Sequence, residues 1–156
     1  MTRWIARILL VASLAFLGWA GWTYWQAGGG DSPADRAAAL ATGTRAVAVL
    51  NTLDHTSPQT SVDQWLAITS GPLHDQLGRD GAKASTTSAT GTVVAAALSS
   101  YDGGTRTARL IASVNVELTP AKGAPSVQRQ RFEAQVTKVG SDWKLTSLTA
   151  VPVGAR

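Results

Sequence analysis

The chain has 156 residues and no cysteine, which excludes disulfides, a thiol nucleophile and cysteine-bound zinc. This length suits one domain of ordinary size plus a short additional element. Part of the net charge of +4 comes from Arg3 and Arg7, and the remaining twelve Lys and Arg are nearly balanced by ten Asp and Glu without forming a cluster, which argues against a nucleic-acid-binding protein.

An uncharged apolar run lies close to the N-terminus. Residues 8–25 contain no Asp, Glu, Lys or Arg, and a helix of this length approaches the span of about 20 residues that crosses a bilayer. Arg3 and Arg7 precede the run, and no further Lys or Arg follows until Arg36. By the positive-inside rule, residues 1–7 are cytoplasmic and the C-terminal part is extracytoplasmic. We therefore predict a single transmembrane helix over 8–25 in the cell (plasma) membrane.

A cleaved signal peptide is the competing interpretation of this segment. The apolar stretch to Leu17 is followed by small residues at Gly18 and Ala20, which suit a peptidase. However, several aromatic side chains follow, and such rings prefer the interface between membrane and water. Their presence favours a retained anchor. The expected membrane-interface anchors, including the basic flank, are Arg3, Arg7, Trp19, Trp22, Tyr24 and Trp25.

Residues 26–32 are typical of a flexible tether that leads into helices. The first helix is predicted to begin with Ser32 as N-cap and Pro33 at its first position, and to continue to about Asp54. Its apolar stripe consists of Leu40, Gly43, Val47, Leu50 and Leu53. Shorter helices are predicted over 62–69, with Ser61 as cap, and over 72–77. A polar loop within 79–92 is expected to follow them.

The hydrophobic period then changes from 3.6 to 2, which indicates β-strands. Four strands are predicted over 90–101, 105–119, 127–139 and 143–153, separated by turn sequences such as "YDGGT" and "PAKGAPS". Helices followed by strands predict an α+β domain over 33–156, in which helices cover one face of a curved four-stranded antiparallel sheet. The other face is polar. The residues expected there to contact a partner are Arg109, Glu117, Arg129, Arg131 and Glu133.

No residue pattern predicts catalysis, a cofactor or a metal site. Tyr101 adjoins a turn, which places it at the rim of any cavity rather than inside one. The pairs Asp54–His55 and His74–Asp75 fall near helix ends, where they are expected to meet solvent, and they lack the i, i+4 spacing of metal ligands on a helix. Two further aromatic residues are expected in the core, with a lipid-binding groove as the alternative. They are Trp65 and Trp143.

Several segments carry a resemblance to a known family. With the apolar N-terminus, "AVAVLNTLDHTS", "GPLHDQL", "ATGTVVAAALSSYDGGTRTARLIASVNVELTP" and "RFEAQVTKVGSDWKLTSLTAVPV" resemble the actinobacterial mammalian cell entry (Mce)-associated membrane proteins. The closing "VGSDWKL" between two strands is similar to the nuclear-transport-factor-2-like superfamily. The chain departs from the family at "KASTTSAT", where relatives carry a longer helix, and this bears on the depth of any cone-shaped pocket.

The resemblance implies a nuclear-transport-factor-2-like domain on a membrane anchor. It also implies a non-enzymatic accessory role in the assembly or stability of an Mce-type lipid and sterol import complex. The implied partners are the lipid bilayer and either Mce subunits or the permease. No nucleic acid is expected as a partner, and formation of a homo-oligomer is left undecided. The fold is similar to the periplasmic domain of an inner-membrane type IV secretion component.

Two other functions remain as alternatives. One is a stand-alone extracytoplasmic module that binds lipid or a small molecule in an apolar pocket between the helices and the sheet. The other is an isomerase-like enzyme, which requires a buried carboxylate in that pocket.

Overall fold

The computed structural model describes residues 32–81 and 85–152. In this part of the chain, three helices precede four strands, as predicted. The helices are α1 (Pro33–Leu50), α2 (Pro58–Ile68) and α3 (Gly71–Asp80). The strands are β1 (Thr87–Asp102), β2 (Thr107–Pro120), β3 (Ser126–Val139) and β4 (Asp142–Ala150).

The strands form one antiparallel sheet in the order β1-β2-β3-β4, which confirms the predicted meander. Pairing between β2 and β3 is continuous along both strands. By contrast, β1 shifts register at two points, between Val93 and Ala95 and between Leu98 and Ser100. Extra residues of this kind bend a strand and increase its twist.

Alternation along β2 and β3 places one set of side chains beneath the helices. Ala108, Leu110, Ala112, Val114 and Val116 of β2 are buried, and so are Phe132, Ala134 and Val136 of β3. These are the faces that the sequence predicts, since a strand with one buried face alternates with a period of two. The largest completely buried side chains are those of Leu110, Leu145, Val47, Val114 and Val136.

Helix α1 lies across the inner face of the sheet and contacts all four strands. The predicted stripe is right at Gly43 and Val47, which are buried, but the other buried positions are Ala39 and Ala46. Small residues dominate because the helix approaches the sheet closely. A methyl group added at Gly43 would overlap Cδ2 of Leu110. Protein atoms therefore fill the space above Leu110, which argues against a lipid pocket at this point of the inner face.

The first helix ends at Leu50, so the predicted end near Asp54 is wrong. Two polar side chains bond back to the last turn: Asn51 Nδ2 donates to the Val47 carbonyl at 2.8 Å, and Thr52 Oγ1 donates to the Ala48 carbonyl at 2.9 Å. Such bonds compete with continuation of a helix. Leu53 then pairs with Ala89 of β1 in an antiparallel bridge.

Several further boundaries differ from the prediction, including the end of β4, which is Ala150 and not 153. Helix α2 begins at Pro58, and Ser61 is not its cap but a buried residue whose Oγ accepts a hydrogen bond from the Asp54 amide at 3.1 Å. Helix α3 runs through Gly78 and ends before Gly81, whose φ of 56° stops it. Strand β1 already begins at Thr87, so much of the polar segment predicted as a loop is helix or strand.

The first turn of α1 is held at the end of the sheet where the β1–β2 and β3–β4 turns lie. Asp35 forms an ion pair with Lys138 at 2.6 Å, and the Arg36 guanidinium lies 5.3 Å from the centre of the Tyr101 ring. Tyr101 in turn packs against Trp143, with ring centres 6.1 Å apart. Ser32 occupies the N-cap position as predicted, but its side chain makes no capping bond.

The connection between α2 and α3 covers part of the outer edge of β4. Thr69 forms a parallel bridge with Leu145, and the Ser70 amide donates to the Leu145 carbonyl at 2.9 Å. Lys144 Nζ donates to the Ala67 carbonyl at the end of α2. The bond from Ser70 satisfies a backbone carbonyl that an edge strand would otherwise expose, and the bond from Lys144 satisfies a carbonyl at the end of α2.

Trp65 joins the second helix to the end of the first, as its half-buried indole Nε1 donates to the carbonyls of Val49 at 3.0 Å and Thr52 at 3.1 Å. We expect Trp65→Phe to lower the free energy of unfolding by about 1–2 kcal/mol, because two carbonyls at the end of α1 lose their donor. The measurement is urea denaturation of the full chain in detergent, followed by circular dichroism. Gln64→Ala, on the exposed side of α2, is the control, with an expected change under about 0.5 kcal/mol. Equal effects of the two substitutions would contradict the role of the indole.

The predicted cytoplasmic segment 1–7, transmembrane helix 8–25 and all but the last residue of the tether lie outside the described residues. So do the six expected interface anchors. Across residues 32–81 and 85–152, none of the helices has both the length and the apolar character required for a membrane span.

Candidate partner-binding surface

The face of the sheet that points away from the helices carries all five charged residues predicted to contact a partner. On β2, Arg109 and Glu117 alternate with the buried residues of that strand, and on β3 the same holds for Arg129, Arg131 and Glu133. All five are exposed. Within the described residues the three helices lie on the opposite side of the sheet, and we call this uncovered side the open face.

The register between β2 and β3 fixes which of these residues are neighbours. Ile111 pairs with Glu133, Ser113 with Arg131 and Asn115 with Arg129. Directly opposed side chains lie about 5 Å apart at their Cβ atoms. The open face is therefore a defined arrangement of side chains and not a set of independent surface charges.

One half of the open face contains an ion pair. Arg109 Nη1 lies 3.6 Å from Glu133 Oε1, with the two side chains 59% and 47% exposed. A pair this exposed contributes little to stability because water and salt screen it. Beside it lies a hollow of about 240 Å³. Its lining residues are Arg109, Glu133, Ala134, Gln135, Ser147 and Thr149.

The other half of the open face contains two arginines on one strand. Arg129 Nε donates to Asn115 Oδ1 at 3.3 Å, which orients its guanidinium. Within the described residues, Arg131 forms no ion pair. A second hollow of about 150 Å³ lies here, lined by Ser113, Arg129, Gln130 and Arg131.

An apolar residue that the sequence analysis missed lies between these two halves. Ile111 is 45% exposed and pairs with Ala97 on one side and Glu133 on the other. The sequence signal for its exposure is its odd residue number, because the buried residues of β2 have even numbers. This exposed apolar side chain is available for the core of a protein interface, which is more apolar than its rim.

The residues considered for catalysis are dispersed. His55 Nδ1 lies 2.7 Å from Ser88 Oγ, so this half-buried histidine bonds to β1 and does not simply meet solvent as predicted. Asp54 is exposed as expected, and His74 lies 3.7 Å from the exposed Asp75. Among residues 32–81 and 85–152, no three His, Cys, Asp or Glu side chains come together in a way that could hold a metal ion.

The aromatic residues occupy different surroundings. Trp143 is buried, as predicted, whereas Trp65 is half-buried. Tyr101 lies at the end of β1, as predicted, and packs against Trp143 at the margin of the core. Neither tryptophan lies on the open face, since Trp65 contacts the end of α1 and Trp143 contributes to the core.

Asp102, the last residue of β1, is the basis of a prediction about pH. Its Oδ1 accepts the Thr105 amide at 3.0 Å, and this backbone bond, with a smaller contribution from the Thr105 side chain, lowers the pKa of the carboxyl below its ordinary 3.8. A lowered folded-state pKa gives stability that is present above the unfolded value of about 3.9 and is lost as pH falls through the folded value. Carboxyl NMR titration should give a midpoint under 3.8 for Asp102. In acid denaturation, Asp102→Asn should reduce the loss of stability below about pH 4. A midpoint at or above the ordinary value would contradict this prediction.

The fold is similar to that of two solved structures. A periplasmic fragment of TraM superposes with a TM-score of 0.57 at 16% identity, covering 76% of this chain and 96% of that fragment. CagV, a VirB8 homologue of the T4SS from Helicobacter pylori strain 26695, superposes with a TM-score of 0.55 at 11% identity, covering 73% of this chain and 95% of CagV. No family model and no curated protein matches the sequence. These likenesses confirm the expected α+β architecture with a four-stranded antiparallel sheet.

Proposed function

We propose that this chain is a single-pass membrane protein whose extracytoplasmic domain is a non-enzymatic scaffold that docks another protein on its open face. In the finer form of the proposal, it supports the assembly or stability of an Mce-type lipid and sterol import complex, and its partners are Mce subunits or the permease.

One observation carries the docking role. In the described part of the chain, the helices bury one face of the sheet and leave the other face uncovered, where Ile111 lies between Ala97 of β1 and the charged residues of β2 and β3. A central apolar side chain with a polar rim is how protein interfaces concentrate their binding energy. The likeness in fold to a periplasmic fragment of TraM supports an extracytoplasmic domain.

The position of α1 supports an orientation of this domain. Its first turn is tied to Lys138 and Tyr101, at the end of the sheet that contains the β1–β2 and β3–β4 turns. The predicted tether ends at Ser32, so these turns are the part of the sheet closest to the predicted anchor. In the proposed orientation, the opposite end of the sheet, which contains the β2–β3 turn, is farther from the membrane.

Site-specific photo-crosslinking in native membranes tests the proposal. A photoreactive phenylalanine analogue at Ile111 lies on the open face, whereas the same analogue at Arg45 lies on the exposed side of α1. We expect the Ile111 probe, and not the Arg45 probe, to form an adduct that mass spectrometry identifies as an Mce subunit or the permease.

The possible results of this experiment separate the two levels of the proposal. An adduct of Ile111 with a protein outside Mce systems would contradict the finer form and leave docking on the open face intact. Equal labelling from Arg45 and Ile111, or no adduct from Ile111, would contradict the docking role. The variants should first show the circular dichroism spectrum of the native chain.

A further inference from the structure

We propose that the hollow between Arg129 and Arg131 binds side-chain carboxylates of the partner protein, which therefore presents an acidic segment to this part of β3. The inference rests on the proposed docking role of the open face and specifies the chemistry of its partner.

The geometry of β3 supports this proposal. Arg129 and Arg131 are two positions apart on the same face of one strand, which places their Cα atoms about 6.8 Å apart. Both side chains are exposed, and both line the hollow of about 150 Å³ together with Ser113. A carboxylate in this hollow can accept bonds from both guanidinium groups.

The bonding of the arginines leaves donors available for such a ligand. Asn115 accepts a hydrogen bond only from Nε of Arg129, so the two terminal nitrogens of that guanidinium are available as donors. Arg131 has no ion-pair partner in the described part of the chain. Arg109 differs because Glu133 already lies beside it. Three of the five charged residues on the open face are arginines and two are glutamates, and Glu133, two positions from Arg131 on β3, is paired with Arg109. Planar guanidinium groups pair best with carboxylates in two-point contacts.

Position along the sheet favours a protein carboxylate over an anionic lipid headgroup. Lys138 marks the end of β3 that is tied to the start of α1. Arg129 lies nine residues from it on the same strand, a distance of about 30 Å. If residues 8–25 are in the bilayer, the hollow is at the far end of the sheet from the headgroups.

The test uses a fluorescein-labelled octaglutamate peptide and the purified full-length chain in a nonionic detergent, with binding followed by fluorescence anisotropy at low salt. Since a charge-assisted bond contributes about 1.5–3 kcal/mol, we expect Arg129→Gln plus Arg131→Gln to weaken binding by at least about tenfold. Arg45→Gln and Arg79→Gln remove the same charge from exposed positions on α1 and α3 and should each change affinity by less than about twofold. Circular dichroism checks that each variant is folded.

Several outcomes would overturn the inference: the absence of saturable binding, equal losses in the control variants, or equal competition from phosphatidylglycerol vesicles or inorganic phosphate. The photo-crosslink from Ile111 separates this inference from the proposed function. If that adduct forms equally well in the double arginine variant, the carboxylate site is wrong and docking stands. If the adduct is absent from the native chain, the proposed function fails, whatever the peptide does.

Discussion

Replacing Gly43 with alanine is expected to destabilise the native domain and to stabilise a variant in which Leu110 is alanine. In the native chain the added methyl group would overlap Leu110 Cδ2 and lie 3.4 Å from Val136 Cγ1, and since Leu110 is completely buried we expect its displacement to disturb the packing around it. Overpacking costs about 1–3 kcal/mol and outweighs the gain of about 1 kcal/mol from the better helix former. The expected net loss is up to about 2 kcal/mol.

The Leu110→Ala substitution alone is expected to cost about 2–5 kcal/mol because it leaves a cavity. In that variant the methyl group of Gly43→Ala no longer meets Leu110 and fills part of the cavity. The double-mutant cycle, measured by chemical denaturation in detergent, should therefore give a favourable coupling of about 2 kcal/mol.

Two controls accompany this cycle. Gly78 lies in α3, where an added methyl group would meet only Leu66 Cδ2 at 3.9 Å, so Gly78→Ala should stabilise by up to about 1 kcal/mol. Ile111→Ala, next to Leu110 but on the open face, should cost less than about 1 kcal/mol. Additive effects of Gly43→Ala and Leu110→Ala would show that α1 does not approach β2 as described.

The second large effect is expected at Trp143, whose replacement by alanine should lower the free energy of unfolding by about 3–5 kcal/mol. Its side chain is buried in β4 and packs against Tyr101. The centre of its ring lies 6.0 Å from Lys138 Nζ. The loss is large compared with a typical domain stability of 5–15 kcal/mol. Denaturation of the full chain measures it, with Val139→Ala as an exposed control that should change stability by less than about 0.5 kcal/mol.

A local measurement checks where the Trp143→Ala effect is transmitted. Tyr101 and Lys138 contact the first turn of α1 through Arg36 and Asp35, so hydrogen exchange should increase in that turn. Exchange should change less at the other end of α1, near Asn51. A uniform increase along the helix would contradict the role of this cluster in holding the start of α1.

The alternation of β2 and β3 could be predicted because burial of one face repeats every second residue. Strand β1 is different: its start at Thr87 depends on pairing with Pro120 at the end of β2, and Thr, Ser and Ala in that segment give only a weak local signal. A weak local signal also explains why the buried face of α1 was predicted only in part. Its contact with the sheet involves the small buried residues Ala39, Gly43 and Ala46, and the absence of a side chain at Gly43 reflects its closeness to Leu110 and not hydrophobicity.

The candidate site was predictable to a similar degree. Charged residues at alternate positions identified the open face, since they share one side of β2 and β3. The exposure of Ile111 was missed because an isoleucine in an apolar run is ordinarily assigned to the core. The Asp35–Lys138 ion pair joins residues 103 positions apart, and no local pattern in the sequence indicates it.

The proposed function depends most on whether residues 8–25 stay with the domain as its membrane anchor. Intact mass spectrometry of the protein from a carbonate-washed membrane fraction tests this directly. If the anchor is retained, we expect one species with the mass of all 156 residues in the membrane pellet. A species that begins near Gly21 and is recovered in the soluble extracytoplasmic fraction would contradict it.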